Sequence, residues 1–445
     1  MSNSRNSGLP ASAPYIIGNE FAERFSYYGM NAVLMVYMTS ASYLAMPKEE
    51  AAGWIHLFKG AVYFFPLLGA LLADVFFGKF RIMLSFSLVY CLGHLALALP
   101  GGWFNDMRMP LFWGLALIAF GAGGIKSCTS AIVGDQFTAE NQHLMSRVYN
   151  WFYLAINGGS FISMLLTPWL MKHWGPEWAF GVPGVLMGCA TLILWVGRKK
   201  YRIVPPSGIQ FLHDLQNKES LWILGKVSLI FLFLIIFWAV YEQTTTLWVA
   251  QAQNMNPKIL ESWVFLPESW KNWALIPSQI QALNPLLILI LIPIFTRWVY
   301  PWWERIFGTS TLKKIAVGLF LATVAQCFPL WFEISARNGI VLNLGWQILA
   351  YLILTTAEVL VSVTSLEFAY TQAPRSMKAL VLGVYLLTTT AGNFLVAGIN
   401  FLAGTFPSLL AGDAYYRFFL VLALINALLF LVAVRFYREN VILQE

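Results

Sequence analysis

Residues 15–40 read YIIGNEFAERFSYYGMNAVLMVYMTS. The segment exceeds the roughly 20 residues that a helix needs to cross a bilayer. It also carries Glu20, Glu23 and Arg24. An ionised side chain at the bilayer centre costs roughly 2.5–3.5 kcal/mol on insertion scales. Three in one span are therefore not incidental. Glu20, Glu23, Arg24, Tyr27 and Tyr28 stand at i, i+3, i+4, i+7 and i+8, which puts them on one helical face. That face looks into a cavity or onto partners, while the rest of the helix meets apolar surroundings. An Arg between two carboxylates lets one stay ionised while the other exchanges a proton. A purely structural ion-pair knot is the competing reading of the same residues.

Working outward, the composition agrees with a membrane protein. The chain is 58% hydrophobic and 11% charged, against about 25% charged in soluble domains, too little polar surface to cover a soluble protein. Apolar runs predict spans near Tyr15–Leu44, Ala51–Val75, Ile82–Ala98, Pro110–Val133, Val148–Met171 and Ala179–Val196. A second set follows near Leu221–Ala250, Ile280–Trp298, Ile315–Phe332, Trp346–Tyr370, Ala379–Phe401 and Tyr416–Phe436. The expectation is an all-α membrane protein with 12 transmembrane helices. A six-helix bundle at 1–197 and another at 221–445 flank a polar linker at 198–220.

The linker opens with Arg198, Lys199, Lys200 and Arg202 and breaks at Pro205-Pro206-Ser207-Gly208. Lys79, Arg81, Arg147, Arg297, Arg305, Lys313, Lys314, Arg375, Lys378, Arg435 and Arg438 fall on its side of the membrane. The opposite loops hold Lys48, Arg108, Lys172 and Arg337, a bias of roughly two to one. Both termini are expected in the cytoplasm and the protein in the cell membrane. The net charge of +7 then reflects loop asymmetry, not nucleic-acid binding. Met1–Pro14 lacks the apolar core of a cleaved signal peptide. Cys91, Cys128, Cys189 and Cys327 lie in apolar runs without metal-ligand spacing and read as small buried hydrophobes. Two six-helix halves joined by a cytoplasmic linker form the major facilitator architecture, with a site at the midplane.

Other spans also carry costly polar groups. His56, Lys59 and Tyr63 lie in the second, and His titrates near physiological pH. As read from the residues, His56 is a proton group or a bonded core histidine. Lys126 follows Gly121, Gly123 and Gly124, small residues that allow close helix contact. It suits a substrate carboxylate, unless it snorkels to an interface. Asn157 and Ser160 share a face of the fifth span, where Asn157 binds substrate or bonds across helices. Glu242 and Gln243 lie in the seventh span, Asn284 begins the eighth, and Glu358 sits deep in the tenth. Glu367, nine residues on, is rotated about 900° from Glu358 in a regular helix, so the two face opposite ways. A Lys on one half and a Glu on the other fit a short zwitterion. Nucleophile elbows, phosphate loops and metal-ligand spacings are missing from the sequence, so an enzyme is not expected.

Several stretches resemble one family. Glu20-Phe-Ala-Glu-Arg-Phe-Ser-Tyr-Tyr-Gly29 is similar to the ExxERFxYYG signature of the proton-dependent oligopeptide transporter family. Gly69-Ala-Leu-Leu-Ala-Asp74, with Gly78-Lys79 and Arg81, resembles the major facilitator loop motif. Gly121-Ala-Gly-Gly-Ile-Lys126 through Gly134-Asp135-Gln136-Phe137, and Phe152-Tyr-Leu-Ala-Ile-Asn-Gly-Gly-Ser160, resemble two more family segments. Ser362-Val-Thr-Ser-Leu-Glu-Phe-Ala-Tyr-Thr-Gln-Ala-Pro374 resembles the tenth span of animal-type peptide carriers, as does the segment from Asn284-Pro285 to Lys314. The resemblance covers roughly Tyr15 to Asn393.

What the resemblance implies is a proton-coupled symporter of di- and tripeptides, needing no cofactor beyond protons and no obligate protein partner. Glu20, Glu23, Arg24, His56 and Glu242 would couple protons. Lys126 would meet the peptide carboxylate or pair with Glu358. Asn157, Asn284 and Glu358 would hold the amino terminus. Tyr27, Tyr28, Tyr63, Trp238 and Tyr385 would line the pocket. Asn31 stands where relatives often carry an Arg whose partner resembles Glu242. Tyr385 replaces a Trp, Ser127 a Pro and Ala357 a Gly, and Lys59 is unusual. The short connection from Phe332 to Trp346 leaves no room for the large outer domain of animal members. These departures keep two alternatives open: a carrier of nitrate, amino acids or another metabolite, and a non-transporting peptide receptor.

Overall fold

The computed structural model describes residues 8–99, 106–138, 140–206, 208, 218–261, 265–372 and 378–437. Each expected span is a helix. In chain order they are α1 (Ala13–Thr39), α2 (Lys48–Leu72), α3 (Lys79–Leu97), α4 (Arg108–Asp135), α5 (Met145–Trp174) and α6 (Pro176–Val196). Then come α7 (Lys218–Tyr241), α8 (Leu283–Ile294), α9 (Thr311–Arg337), α10 (Gly345–Glu358), α11 (Lys378–Thr405) and α12 (Asp413–Phe436). Among the described residues, eleven helices are long and apolar enough to cross a membrane. The remaining span is α1, whose line of charged and phenolic side chains lowers its hydropathy. Part of the linker, Ser207 and 209–217, lies outside the described residues, as do Ala373–Pro374, Arg375 and Arg438.

The chain divides into two compact units. The first takes the described residues up to Val33 and from Ala61 to Leu212. The second takes Leu34–Gly60 and the described residues from His213 onward. The C-terminal end of α1 and the N-terminal half of α2 thus group with the later helices.

In the first unit α3 lies along α4 and α6, and α5 packs on α6. Glycines set the closest approaches. A Cβ on Gly121 would fall 2.8 Å from the Phe86 carbonyl of α3, and one on Gly123 2.6 Å from Phe65 Cβ of α2. A Cβ on Gly159 of α5 would meet the Phe21 carbonyl of α1 at 2.7 Å. The Thr167 hydroxyl also donates to the Gly29 carbonyl at 2.8 Å, fixing α5 to α1. The small residues before Lys126 therefore do what their size suggests. Gly123→Val should lower stability by about 1–3 kcal/mol through overpacking. Gly188→Val should be near neutral, because that position has open space. Melting temperatures of the two variants in detergent check this.

In the second unit α7 packs on α11 and α12, and α9 on α10 and α12. Phe231, Phe237, Trp248, Tyr351, Phe368 and Phe430 fill its core. The second-unit part of α2 joins it closely: Gly53 lies under the Phe401 ring, and Gly60 against the Phe394 ring.

Three details differ from the sequence reading. First, the seventh span is broken. α7 ends at Tyr241, Glu242–Thr245 form a tight 3₁₀ turn, Thr246 leaves helical geometry (φ −125°, ψ −96°), and helix resumes at Leu247. Second, a wide π turn, Val359–Val363, follows Glu358. The 900° rotation to Glu367 assumed a regular helix and does not apply across it. Third, of the four cysteines expected to be buried, Cys128 is buried, Cys91 is half-buried, and Cys189 and Cys327 are exposed; in a spanning helix an exposed apolar side chain costs little, because lipid is as apolar as the side chain.

Candidate functional site

The polar face of α1 forms the cluster that its spacing predicts. Arg24 Nε donates to Glu20 Oε1 at 2.7 Å and lies 3.0 Å from Glu23 Oε2. The Glu20 and Glu23 side chains are 1% and 0% exposed, and that of Arg24 is 12% exposed. Two carboxylates thus share one guanidinium in near isolation from solvent, an arrangement held by the 3.6-residue period alone. Glu23 also feels the charge of Lys126.

Lys126 on α4 reaches between two of the predicted pocket tyrosines. Its ammonium sits 4.3 Å from the Tyr27 ring centre and 4.3 Å from that of Tyr63. Such a cation–π cage attracts an ammonium through the negative faces of the rings. Tyr28 meets Tyr27 edge-on at 5.2 Å. Asn157 is buried, and its amide donates to the Tyr153 carbonyl of its own helix at 3.0 Å. Asn31 does the same to the Tyr27 carbonyl at 2.9 Å.

The second unit gathers the other predicted residues. Asn284 at the start of α8 donates to Glu358 Oε2 at 2.7 Å, and the Tyr241 hydroxyl bonds the same carboxyl group. Glu358 is partly rather than fully buried, and Glu367 is exposed. Trp238 packs edge-on against Tyr241 (5.5 Å) and Tyr385 (6.4 Å), a continuous aromatic wall beside Glu358. Tyr385 exchanges a hydrogen bond with Ser362 at 3.2 Å.

His56 is fully buried and bonded at both ring nitrogens. Asn393 Nδ2 donates to the Thr389 carbonyl, so its Oδ1 faces His56. Nδ1 of His56 then carries the proton and donates to that oxygen at 2.9 Å, while Nε2 meets the Thr246 hydroxyl at 2.9 Å. The Thr246 hydroxyl has a second acceptor in the Gln243 carbonyl at 3.3 Å. A proton added at Nε2 would be met by rotation of that hydroxyl.

Three groups, Asn393, Thr246 and His94, were missed by sequence reasoning, and a fourth, Lys59, was noted as unusual but given no role. Lys59 pairs with Glu242 and donates to Thr245 Oγ1 at 2.7 Å. Asn393 and Thr246 hold His56. His94, buried on α3, bonds Ser26 of α1 at 2.8 Å, next to the α1 cluster. A lysine and a second histidine inside apolar spans were the available signals. Outside the spans' centres, Lys79 binds Asp135 at 2.8 Å and Gly78 takes a positive φ of 79°, joining the two loop motifs singled out in the sequence.

Charged groups retained at such cost inside spanning helices mark proteins that pass ions or polar solutes through a bilayer, and the helices follow the major facilitator plan. A family model described as the POT family matches residues 80–216 and 209–412, and the chain belongs to that family. It is 35% identical over 354 residues to Peptide transporter 3 of Caenorhabditis elegans, covering 69% of this chain and 48% of that protein. It is likewise 35% identical over 381 residues to Solute carrier family 15 member 2 of Rattus norvegicus, covering 75% and 50%. The chain thus spans about half the length of the curated relatives it matches. Among solved structures, an auto-inhibited POT family peptide transporter superposes with a TM-score of 0.85 at 34% identity, covering 98% of this chain and 99% of that one. The POT family transporter PepTSo gives 0.84 at 31%, covering 96% and 98%. Membership of this family makes the chain a multi-pass membrane protein.

Proposed function

We propose that this chain is a proton-coupled symporter that imports di- and tripeptides by alternating access. The observation that carries the reading is the buried pair of carboxylates, Glu20 and Glu23, sharing Arg24. A proton that neutralises one carboxylate leaves the guanidinium a single ionic partner and alters what α1 holds. His56 serves as a relay and Glu242 as a second coupling carboxylate. Lys126 receives the peptide carboxylate, Asn284 and Glu358 receive the ammonium, and Asn157 assists. Tyr27, Tyr28, Tyr63, Trp238 and Tyr385 supply apolar contact. The names of the nematode relative and of the two solved neighbours speak of peptide or POT-type transport, which supports peptide cargo. The protein resides in the cell membrane with both termini in the cytoplasm, so an inward potential of 100 mV contributes about 2.3 kcal/mol per positive charge moved.

The test is uptake of a labelled dipeptide into proteoliposomes, outside acidic and inside negative. Accumulation that collapses with an ionophore is the expected result. No uptake by folded protein overturns the reading, and nitrate and single amino acids are then assayed. In the same system Lys126→Met should raise the peptide KM by about 10- to 150-fold, the loss of one charge-assisted contact.

A further inference from the structure

We infer that Lys59 is the ionic partner that ties α2 to the break in α7, and that this tie couples proton uptake at Glu242 to movement of the broken segment. The inference rests on the proton-coupled reading above. Glu242–Thr246 is the one place where the seventh span leaves helical geometry, so its polar groups need outside partners. Two side chains of α2, one turn apart, supply them. Lys59 takes the Glu242 carboxylate and the Thr245 hydroxyl, and His56 takes the Thr246 hydroxyl while holding Asn393 of α11. Three side chains of the break are thus gripped from one helix. Lys59 and Glu242 are 4% and 5% exposed, so neither charge has water as an alternative.

Among the described residues, two titratable groups lie beside the Lys59–Glu242 pair. His56 faces it from α2, and the Glu358 carboxyl of α10, held by Tyr241 and Asn284, lies within electrostatic reach of Glu242. When the Glu242 carboxylate takes a proton it becomes a neutral acid, the ion pair becomes a neutral-to-charged hydrogen bond, and the ammonium of Lys59 loses its counterion. The hold of α2 on residues 242–246 then rests on hydrogen bonds without an ion pair, from Lys59 to Glu242 and Thr245 and between His56 and Thr246. Loss of the proton restores the pair. Lys59 is thus a positioning residue, acting through Glu242; the sequence marked it as unusual but gave it no role.

The experiment separates coupling from binding. Proteoliposomes carrying wild type, K59R, K59Q and the exchange K59E/E242K are assayed for uphill accumulation driven by a pH gradient and for counterflow without one. K59R should accumulate dipeptide as wild type does. K59Q should fall to the level of protein-free liposomes in accumulation while keeping counterflow with a wild-type KM. The exchange should accumulate more than either of its single variants. Accumulation by K59Q at the wild-type level overturns the inference. So does loss of counterflow together with accumulation in a K59Q protein that melts like wild type. If K59Q does not fold, the exchange decides: recovery supports the tie, and its absence overturns it. If wild type moves no dipeptide, the peptide reading fails separately. The pair is then judged by the melting temperatures of K59Q, E242Q and K59Q/E242Q, where additive shifts overturn it and non-additive shifts support it.

Discussion

Arg24→Met is expected to cost about 3–5 kcal/mol of stability, the penalty for leaving a buried charge without its partner. The carboxylates of Glu20 and Glu23 are at most 1% exposed, and both depend on the same guanidinium nitrogen. Among the described residues, Glu20 Oε2 and both carboxyl oxygens of Glu23 have no hydrogen-bond partner, so no other donor already holds them when Arg24 is lost. The variant should therefore yield little folded protein in detergent. Removing the whole cluster, as Glu20→Gln/Glu23→Gln/Arg24→Gln, should recover much of the loss, because an uncharged set is often no less stable than a buried ion cluster. The triple variant should nonetheless fail to accumulate solute against a gradient. An Arg24→Met protein that melts like wild type would show that the carboxylates are not held by Arg24.

The α1 cluster was legible because all its members share one helix. The cost of charge in a membrane forces them onto one face, and the spacing names that face. The setting of Lys126 was half legible: the glycines predicted close packing of α4, but the ring pair around its ammonium comes from α1 and α2. Lys59 and Glu242 are separated by 183 residues, and no local period connects them. The break at Glu242–Thr246 was hidden too. It contains neither Gly nor Pro, and its one local sign is a run of three threonines, whose hydroxyls can bond backbone carbonyls and compete with the helix ladder. The π turn after Glu358 likewise sits in the apolar run VLVSV, which reads as regular helix. Exposure of Cys189 and Cys327 followed from lipid acting as solvent, which makes an apolar residue's burial within the protein unreadable from hydropathy.

Glu358→Gln should abolish uphill accumulation of dipeptide and remove the preference for a free amino terminus. The side chain keeps its size but loses its charge. Asn284 still offers an N–H to the new amide oxygen, so the local packing on α8 can survive. What disappears is the counter-charge for a substrate ammonium, worth about 1.5–3 kcal/mol as a charge-assisted hydrogen bond. Wild type should therefore prefer a free dipeptide over its N-acetyl form by about 10- to 150-fold in KM, since each 1.4 kcal/mol is tenfold. The Gln variant should treat the two alike. Asn284→Ala should have the same tendency but a smaller effect, because the Tyr241 hydroxyl still orients the carboxyl group. Competition of each compound against labelled dipeptide counterflow measures the preference without requiring a gradient. This separates Glu358 from Lys59: a binding group changes which solute is chosen, whereas a coupling group changes only whether the chosen solute is driven uphill. If the Gln variant still prefers the free amino terminus, Glu358 does not receive it, and the assignment of the ammonium end to α8 and α10 falls.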